Sequence, residues 1–192
     1  MGRFLKALPP HEAAEALRSG AVALVPTETV VGLVAAESGL SRVREIKGRD
    51  ANKPIALLCS STEEAFGLAA NVPPLATRLA GLYWPGPLTL VLDLPGGDTI
   101  GLRVPTGRAV RELLEAYGGP LYATSANLSG EPARSATDEV DPLVLEAVDL
   151  VVDGEKGSGE ASAVVDLSGG KVELLRTDSE LSTERLARLA SE

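Results

Sequence analysis

Short apolar runs of strand length alternate along this chain with segments of helical period, and most of the runs are ended by a proline, a glycine or a cluster of hydroxyls. "AVALVP", "VVGLVAA", "IALLC", "LTLVL", "IGLRV", "PLYA", "LVV", "SAVVDL" and "KVELL" have the length and apolar content of buried strands. Helical spacing lies between them: in "PHEAAEALRSG", which Pro10 opens and Gly20 closes, in "TEEAFGLAA", "ATRLAGL" and "RAVRELLEAY", and in "TERLARLA" after Ser182. Ser41 is expected to cap a short helix over "RVREIK", and Asp141 with Pro142 to open "LVLEAV". Some strands follow one another through short turns, which a purely parallel sheet does not allow. The expectation is an α/β fold in one domain, residues 1–192: a twisted, mixed β-sheet with helices packed on it.

With 192 residues and 44% apolar content, the chain can bury a substantial core. Its net charge of −9 supplies no general basic field of the kind non-specific nucleic-acid binders use, so any contact with a nucleotide or a nucleic acid must be local. One cysteine, Cys59, cannot form an internal disulfide, and the first residues lack the apolar stretch of a secretory signal. No apolar run approaches the roughly 20 residues needed to span a bilayer. These features point to a cytoplasmic protein with no membrane role.

Against that acidic background, Arg42, Arg44, Lys47, Arg49 and Lys53 stand out. Five of the 18 cations fall within positions 42–53, where even spreading would put about one. A solvated helix face is the bland alternative for any charge run. Here Lys47 and Arg49 flank Gly48 where the helical pattern stops, so two cations can converge on one group such as a polyphosphate.

Three other stretches combine buried-strand character with polar ends. In "PLYATSANLSG" a strand runs into Thr124, Ser125, Asn127 and Gly130, the arrangement of a ligand-binding crevice at a strand's carboxyl end, though an ordinary Asx or Ser turn has the same composition. In "VPTETVVGL", Thr27, Glu28 and Thr29 sit between two strands, where Thr29 can hold a small polar ligand or simply cap. Arg103 lies within the apolar "TIGLRVP", where a guanidinium needs a carboxylate or phosphate partner unless the strand is an edge. "YWPGPLTLVL" reads as a structural turn, and "GEKGSGEAS" lacks the Gly-Lys-Ser/Thr ending of a phosphate loop.

With His11 the sole histidine, placed in the first helix, neither a zinc cluster nor a Ser-His-Asp or Cys-His arrangement can be assembled. Any catalysis must rest on positioning and electrostatics.

Taken in order, "PTETVVGL", "KGRDANKPI", "WPGPLTLVL", "GLRVP" and "ATSANLSGEP" resemble the YrdC-like family of threonylcarbamoyl-adenylate synthases, from about Ala21 to about Arg176. The resemblance implies a YrdC/RibB-like sheet with a concave ligand cavity. It implies a nucleotidyltransferase that forms threonylcarbamoyl-AMP and pyrophosphate from L-threonine, bicarbonate and ATP with Mg2+, for N6-threonylcarbamoyladenosine modification of tRNA. By the same motif matching, Thr29, Arg103, Ala123 and Ser162 would contact threonine. Lys47, Arg49, Lys53, Thr99, Ser125, Asn127, Ala133 and Arg176 would line the ATP side, with Lys47 and Arg49 acting on the phosphates. Partner proteins of tRNA modification, and contact with tRNA, are also implied.

Val31 stands where the family usually has an aromatic residue, Leu58 where many members have His, and Lys53 where many have a short polar residue. The chain ends soon after Arg176, like the family's short form. Two alternatives use the same residues: an RNA-binding module for tRNA or double-stranded RNA, and a nucleotide-binding paralogue without synthase activity.

Overall fold

The protein is described from a computed structural model covering residues 5, 7–48 and 55–191. Strand β1 (Ala7–Leu8) and helix α1 (Pro10–Arg18) lead into β2 (Val22–Val25) and β3 (Gly32–Ala35). Then come α2 (Leu40–Ile46), β4 (Ala56–Leu58), α3 (Thr62–Leu68), α4 (Pro74–Tyr83), β5 (Leu88–Asp93), β6 (Thr99–Arg103), α5 (Arg108–Tyr117) and β7 (Leu121–Ser125). Helix α6 (Pro142–Ala147), β8 (Leu150–Val152), β9 (Ala163–Asp166), β10 (Glu173–Arg176) and α7 (Thr183–Ser191) follow.

The strands form one sheet in the order β1-β8-β2-β3-β7-β4-β6-β5-β9-β10. It is mixed, as expected: β1/β8, β2/β8, β4/β6 and β5/β9 are parallel and the other neighbours antiparallel. Side-chain alternation explains how both faces are covered. On β2, Ala23 and Val25 pack with Ala14 and Leu17 of α1 and Val110 and Leu113 of α5, while Val22 and Leu24 pack with Val43 of α2 and Val144 of α6. On β5 and β6, Leu90, Leu92 and Leu102 enter a third cluster with Leu79 of α4 and Leu186 of α7. The alternate residues Thr89, Val91, Gly101 and Arg103 face a cavity instead.

Local signals account for most boundaries. Pro10 begins α1, with Gly20 at φ +89° just beyond it, and the Asp141 side chain accepts from the Leu143 N–H at 2.8 Å to open α6. The start of the helix over residues 40–46 differs from expectation. Gly39, not Ser41, is its N-cap and makes no side-chain cap bond; Ser41 lies inside the first turn because a 3₁₀ turn, Glu37–Gly39, already starts the coil. The pair Ala7–Leu8 carries no pattern of its own and becomes a strand only by pairing with Val151 and Val152. Strand β7 extends beyond "PLYA", since Thr124 and Ser125 pair with Leu33 and Gly32.

Candidate functional site

The cavity encloses about 270 Å3 on the sheet face of β7, β4, β6, β5 and β9, just under the roughly 300–1,000 Å3 usual for small-molecule sites. Arg103 ends β6, which lies between β4 and β5, so it is not an edge-strand residue. Its Nη2 donates to Glu28 Oε1 at 2.6 Å and to Thr29 Oγ1 at 3.0 Å, and its Nε to the Gly86 carbonyl at 3.2 Å. Nη1 has no partner among the described residues, and Arg103 lines the cavity. Burial works against ionisation of Glu28, but the charge and hydrogen bonds of Arg103, with the Gly107 N–H at 3.0 Å, outweigh it and hold the carboxyl below its ordinary range. The expected anionic partner of Arg103 is therefore Glu28.

A second guanidinium reaches the same cavity. Arg176, at the end of β10, donates from Nε to the Ser162 carbonyl at 2.6 Å and from Nη2 to Ser162 Oγ at 3.1 Å. Ser162 Oγ lies 3.0 Å from Thr89 Oγ1, and both residues are buried and line the cavity. Burial and the nearby positive charge of Arg103 both push the pKa of Arg176 down, so an anion between the two guanidiniums relieves a repulsion built into the site. Among the described residues lining the cavity there is no carboxylate.

Thr29, Arg103, Ala123, Ser162, Ser125 and Arg176 thus come together in one cavity. Lys47 lies beside it rather than in its wall. It caps the end of α2, is 3% exposed, and its Nζ donates to the Ser125 carbonyl at 2.6 Å and Asn127 Oδ1 at 2.9 Å. Thr99 is exposed at the start of β6, in the alternation that carries Gly101 and Arg103, and Ala133 is half-buried in the loop after β7. Arg49 and Lys53 lie outside the described residues. Arg42 does not join an anion site: its Nη1 donates to Asp149 Oδ2 at 2.6 Å, and Asp149 also accepts from the Val22 N–H.

One expectation about free donors changes. Asn127 spends its amide on the Leu128 and Glu131 carbonyls, and the Ala126 N–H donates to Val31 O at 2.8 Å, so this loop is tied down by the groups expected to meet a ligand. The "GEKGSGEAS" stretch crosses the Thr27–Thr29 turn as a strap. Gly157, Ser158 and Gly159 donate their N–H groups to the carbonyls of Ser135, Glu28 and Thr29 at 2.9, 2.9 and 2.8 Å, leaving none of the three to cradle phosphate. Gly157 is required there, since a Cβ would stand 2.4 Å from Thr29 O and 2.5 Å from Thr27 O.

"YWPGPLTLVL" is a turn, but not only that: its Gly86 carbonyl holds Arg103, and Thr89 enters the cavity. The available signal was Thr89 itself, the one hydroxyl in that strand. Gly101 forms cavity floor where a Cβ would lie 2.9 Å from Thr89 Cγ2.

A mixed sheet with two guanidiniums and a set of hydroxyls around one cavity defines an α/β protein built to bind a small anionic ligand. Residues 15–178 match the Sua5/YciO/YrdC family, described as "Telomere recombination". Over 177 residues the chain is 37% identical to the threonylcarbamoyl-AMP synthase of Pyrococcus abyssi, covering 85% of this chain and 52% of that protein. It is 32% identical over 185 residues to the threonylcarbamoyl-AMP synthase of Stenotrophomonas maltophilia, covering 88% and 98%. The crystal structure of P. abyssi Sua5 complexed with L-threonine superimposes with a TM-score of 0.82 at 33% identity, over 94% of this chain and 56% of that one. The chain belongs to the Sua5/YciO/YrdC family. It spans about half the length of the P. abyssi relative.

Proposed function

We propose that the cavity is the active site of a nucleotidyltransferase that makes L-threonylcarbamoyladenylate and pyrophosphate from L-threonine, bicarbonate and ATP, for N6-threonylcarbamoyladenosine modification of tRNA. The observation that carries this reading is the pair Arg103 and Arg176 around one cavity lined with hydroxyls. The names of the relatives supply threonylcarbamoyl-AMP and L-threonine, and the family resemblance implies ATP and bicarbonate.

In this reading Arg103 grips the amino-acid carboxylate through Nη1, with Thr29, the Ala123 backbone and Ser162 around the amino acid. The threonine amine and bicarbonate give a carbamate with loss of water. A carbamate oxygen attacks the α-phosphorus, forming one P–O bond as the bond to the bridging oxygen breaks, and pyrophosphate leaves. Lys47 and Arg49 stabilise the charge moving onto the phosphates, while Arg176, Lys53, Thr99, Ser125, Asn127 and Ala133 frame the nucleotide. No covalent enzyme intermediate is needed.

Among the described residues there is no group of three or more His, Cys, Asp or Glu that holds a metal. Mg2+ would enter with the ATP, held by the triphosphate oxygens, and would offset charge on the phosphates. The labile product passes to partner proteins of tRNA modification in the cytoplasm. Among the described residues no helix is long and apolar enough to cross a membrane.

The test is incubation with ATP, L-threonine and 13C-bicarbonate, followed by mass spectrometry. A labelled threonine-containing adenylate is expected. An unlabelled or absent adenylate, together with tight RNA binding at physiological salt, would favour the RNA-binding alternative instead.

A further inference from the structure

The turn between β2 and β3 contains a closed set of hydrogen bonds whose proton directions can be worked out. Thr27 is 6% exposed, and its hydroxyl lies 2.7 Å from the Val30 carbonyl, a group that only accepts; the single Thr27 hydroxyl proton is therefore spent there. The Thr29 N–H, which only donates, points at Thr27 Oγ1 at 3.2 Å. The contact of 2.9 Å between the two hydroxyl oxygens must then run from Thr29 to Thr27, which fills the second acceptor position of Thr27.

The consequence falls on Thr29. Its proton is committed to Thr27, and one of its lone pairs takes Nη2 of Arg103, another donor-only group, at 3.0 Å. One acceptor position is left, and Thr29 lines the cavity. Donors dominate the rest of this corner. Arg103 Nη1 carries two N–H groups with no described partner, and Thr89 and Ser162 share two hydroxyl protons, of which their mutual contact uses one.

We infer that Thr27 is a positioning residue that makes Thr29 a pure acceptor toward the ligand, and so fixes which end of the amino acid lies where. The carboxylate meets the donors of Arg103, and the neighbouring α-amine presents an N–H to Thr29. A reversed amino acid would put a carboxylate oxygen against the Thr29 lone pair and leave the guanidinium facing an amine, which is repulsive at both contacts. Thr27 also lines the cavity, but its proton and both of its acceptor positions are spent within the turn, so it acts on the ligand through Thr29. The inference rests on the functional reading above, which supplies the amino acid.

Calorimetric titration of L-threonine into wild type, Thr27→Val and Thr27→Ser tests it, with the KM for ATP measured in parallel. Thr27→Val keeps the side-chain shape but frees the Thr29 proton to turn into the cavity, and weakens threonine binding at least tenfold. Thr27→Ser restores it to within about twofold of wild type, and the KM for ATP stays unchanged in both. In the Thr29→Val background, adding Thr27→Val produces no further loss, because Thr27 acts through that hydroxyl.

Should Thr27→Val fail to fold, Thr27→Ala carries the same comparison without a second methyl in the turn. Equal threonine affinity in wild type and the hydroxyl-free variant, or losses that add in the double variant, overturns the inference. A wild type that does not bind L-threonine overturns the functional reading and this inference with it.

Discussion

Lys47 Nζ donates to the Ser125 carbonyl at 2.6 Å across a separation of 78 residues, tying the end of α2 to the end of β7. The same ammonium holds Asn127 Oδ1, so the loop that follows β7 is fixed by a cation delivered from another element. Lys47→Met should leave both acceptors without their charged donor and cost about 1–3 kcal/mol of stability, read from urea denaturation. Threonine-dependent pyrophosphate release should fall about tenfold or more, since a charge-assisted contact is worth roughly 1.5–3 kcal/mol.

Arg103 and Glu28 form a pair with side chains 8% and 20% exposed. Removing one member of such a pair strands the other, so Arg103→Ala should lose about 3–5 kcal/mol in denaturant unfolding. Arg103→Lys keeps the charge but cannot reach Glu28, Thr29 and Gly86 in one planar fork. It should fold and still raise the KM for threonine more than that for ATP.

The strap over the Thr27–Thr29 turn has no room for a methyl at Gly157. Gly157→Ala should therefore cost about 1–3 kcal/mol through overpacking, and weaken threonine binding by moving the Thr29 backbone. Gly67, in α3, has no atom within 4 Å of a built Cβ. Gly67→Ala makes the control, with stability unchanged or slightly raised.

Acid should expose the Glu28 contribution. Its carboxyl ionises more readily folded than its ordinary value of 4.5 because, against burial, the Arg103 charge and hydrogen bonds prevail. A depressed folded pKa adds stability above the unfolded value, and that stability is lost as pH falls through the folded one. The wild-type Tm should thus fall more steeply below about pH 4.5 than that of Glu28→Gln, in which this group no longer titrates.

Cys59 is buried, and burial, with the negative charge of Glu64, pushes its thiol up to about 12. It should resist a thiol-specific reagent at pH 8 in the native protein and react fully in guanidinium chloride. Rapid native labelling would mean that β4 opens readily.

Most of the sheet was legible because strand and helix periods are written in side-chain polarity. Ala7–Leu8 was not, because two residues carry no period. Arg103 stood out because a guanidinium in an apolar strand must have a partner, yet Glu28 lies 75 residues away and nothing local connects them. The glycine and lysine content of the strap is visible in sequence, whereas the commitment of its N–H groups to Ser135, Glu28 and Thr29 is a product of tertiary packing. Thr89 is a weak signal in sequence, because threonine fits a strand whether or not it faces a ligand. Asn127 lies two residues beyond Ser125, but its donors turn inward to the loop, a commitment that sequence does not show.

The most direct test of the joint amino-acid and triphosphate site is pyrophosphate release from ATP, with threonine and bicarbonate omitted in turn. Release that needs both, and that collapses in Arg103→Lys at low threonine but recovers in part as threonine is raised, is the predicted result. Release that continues without threonine, or that is indifferent to Arg103, would contradict it.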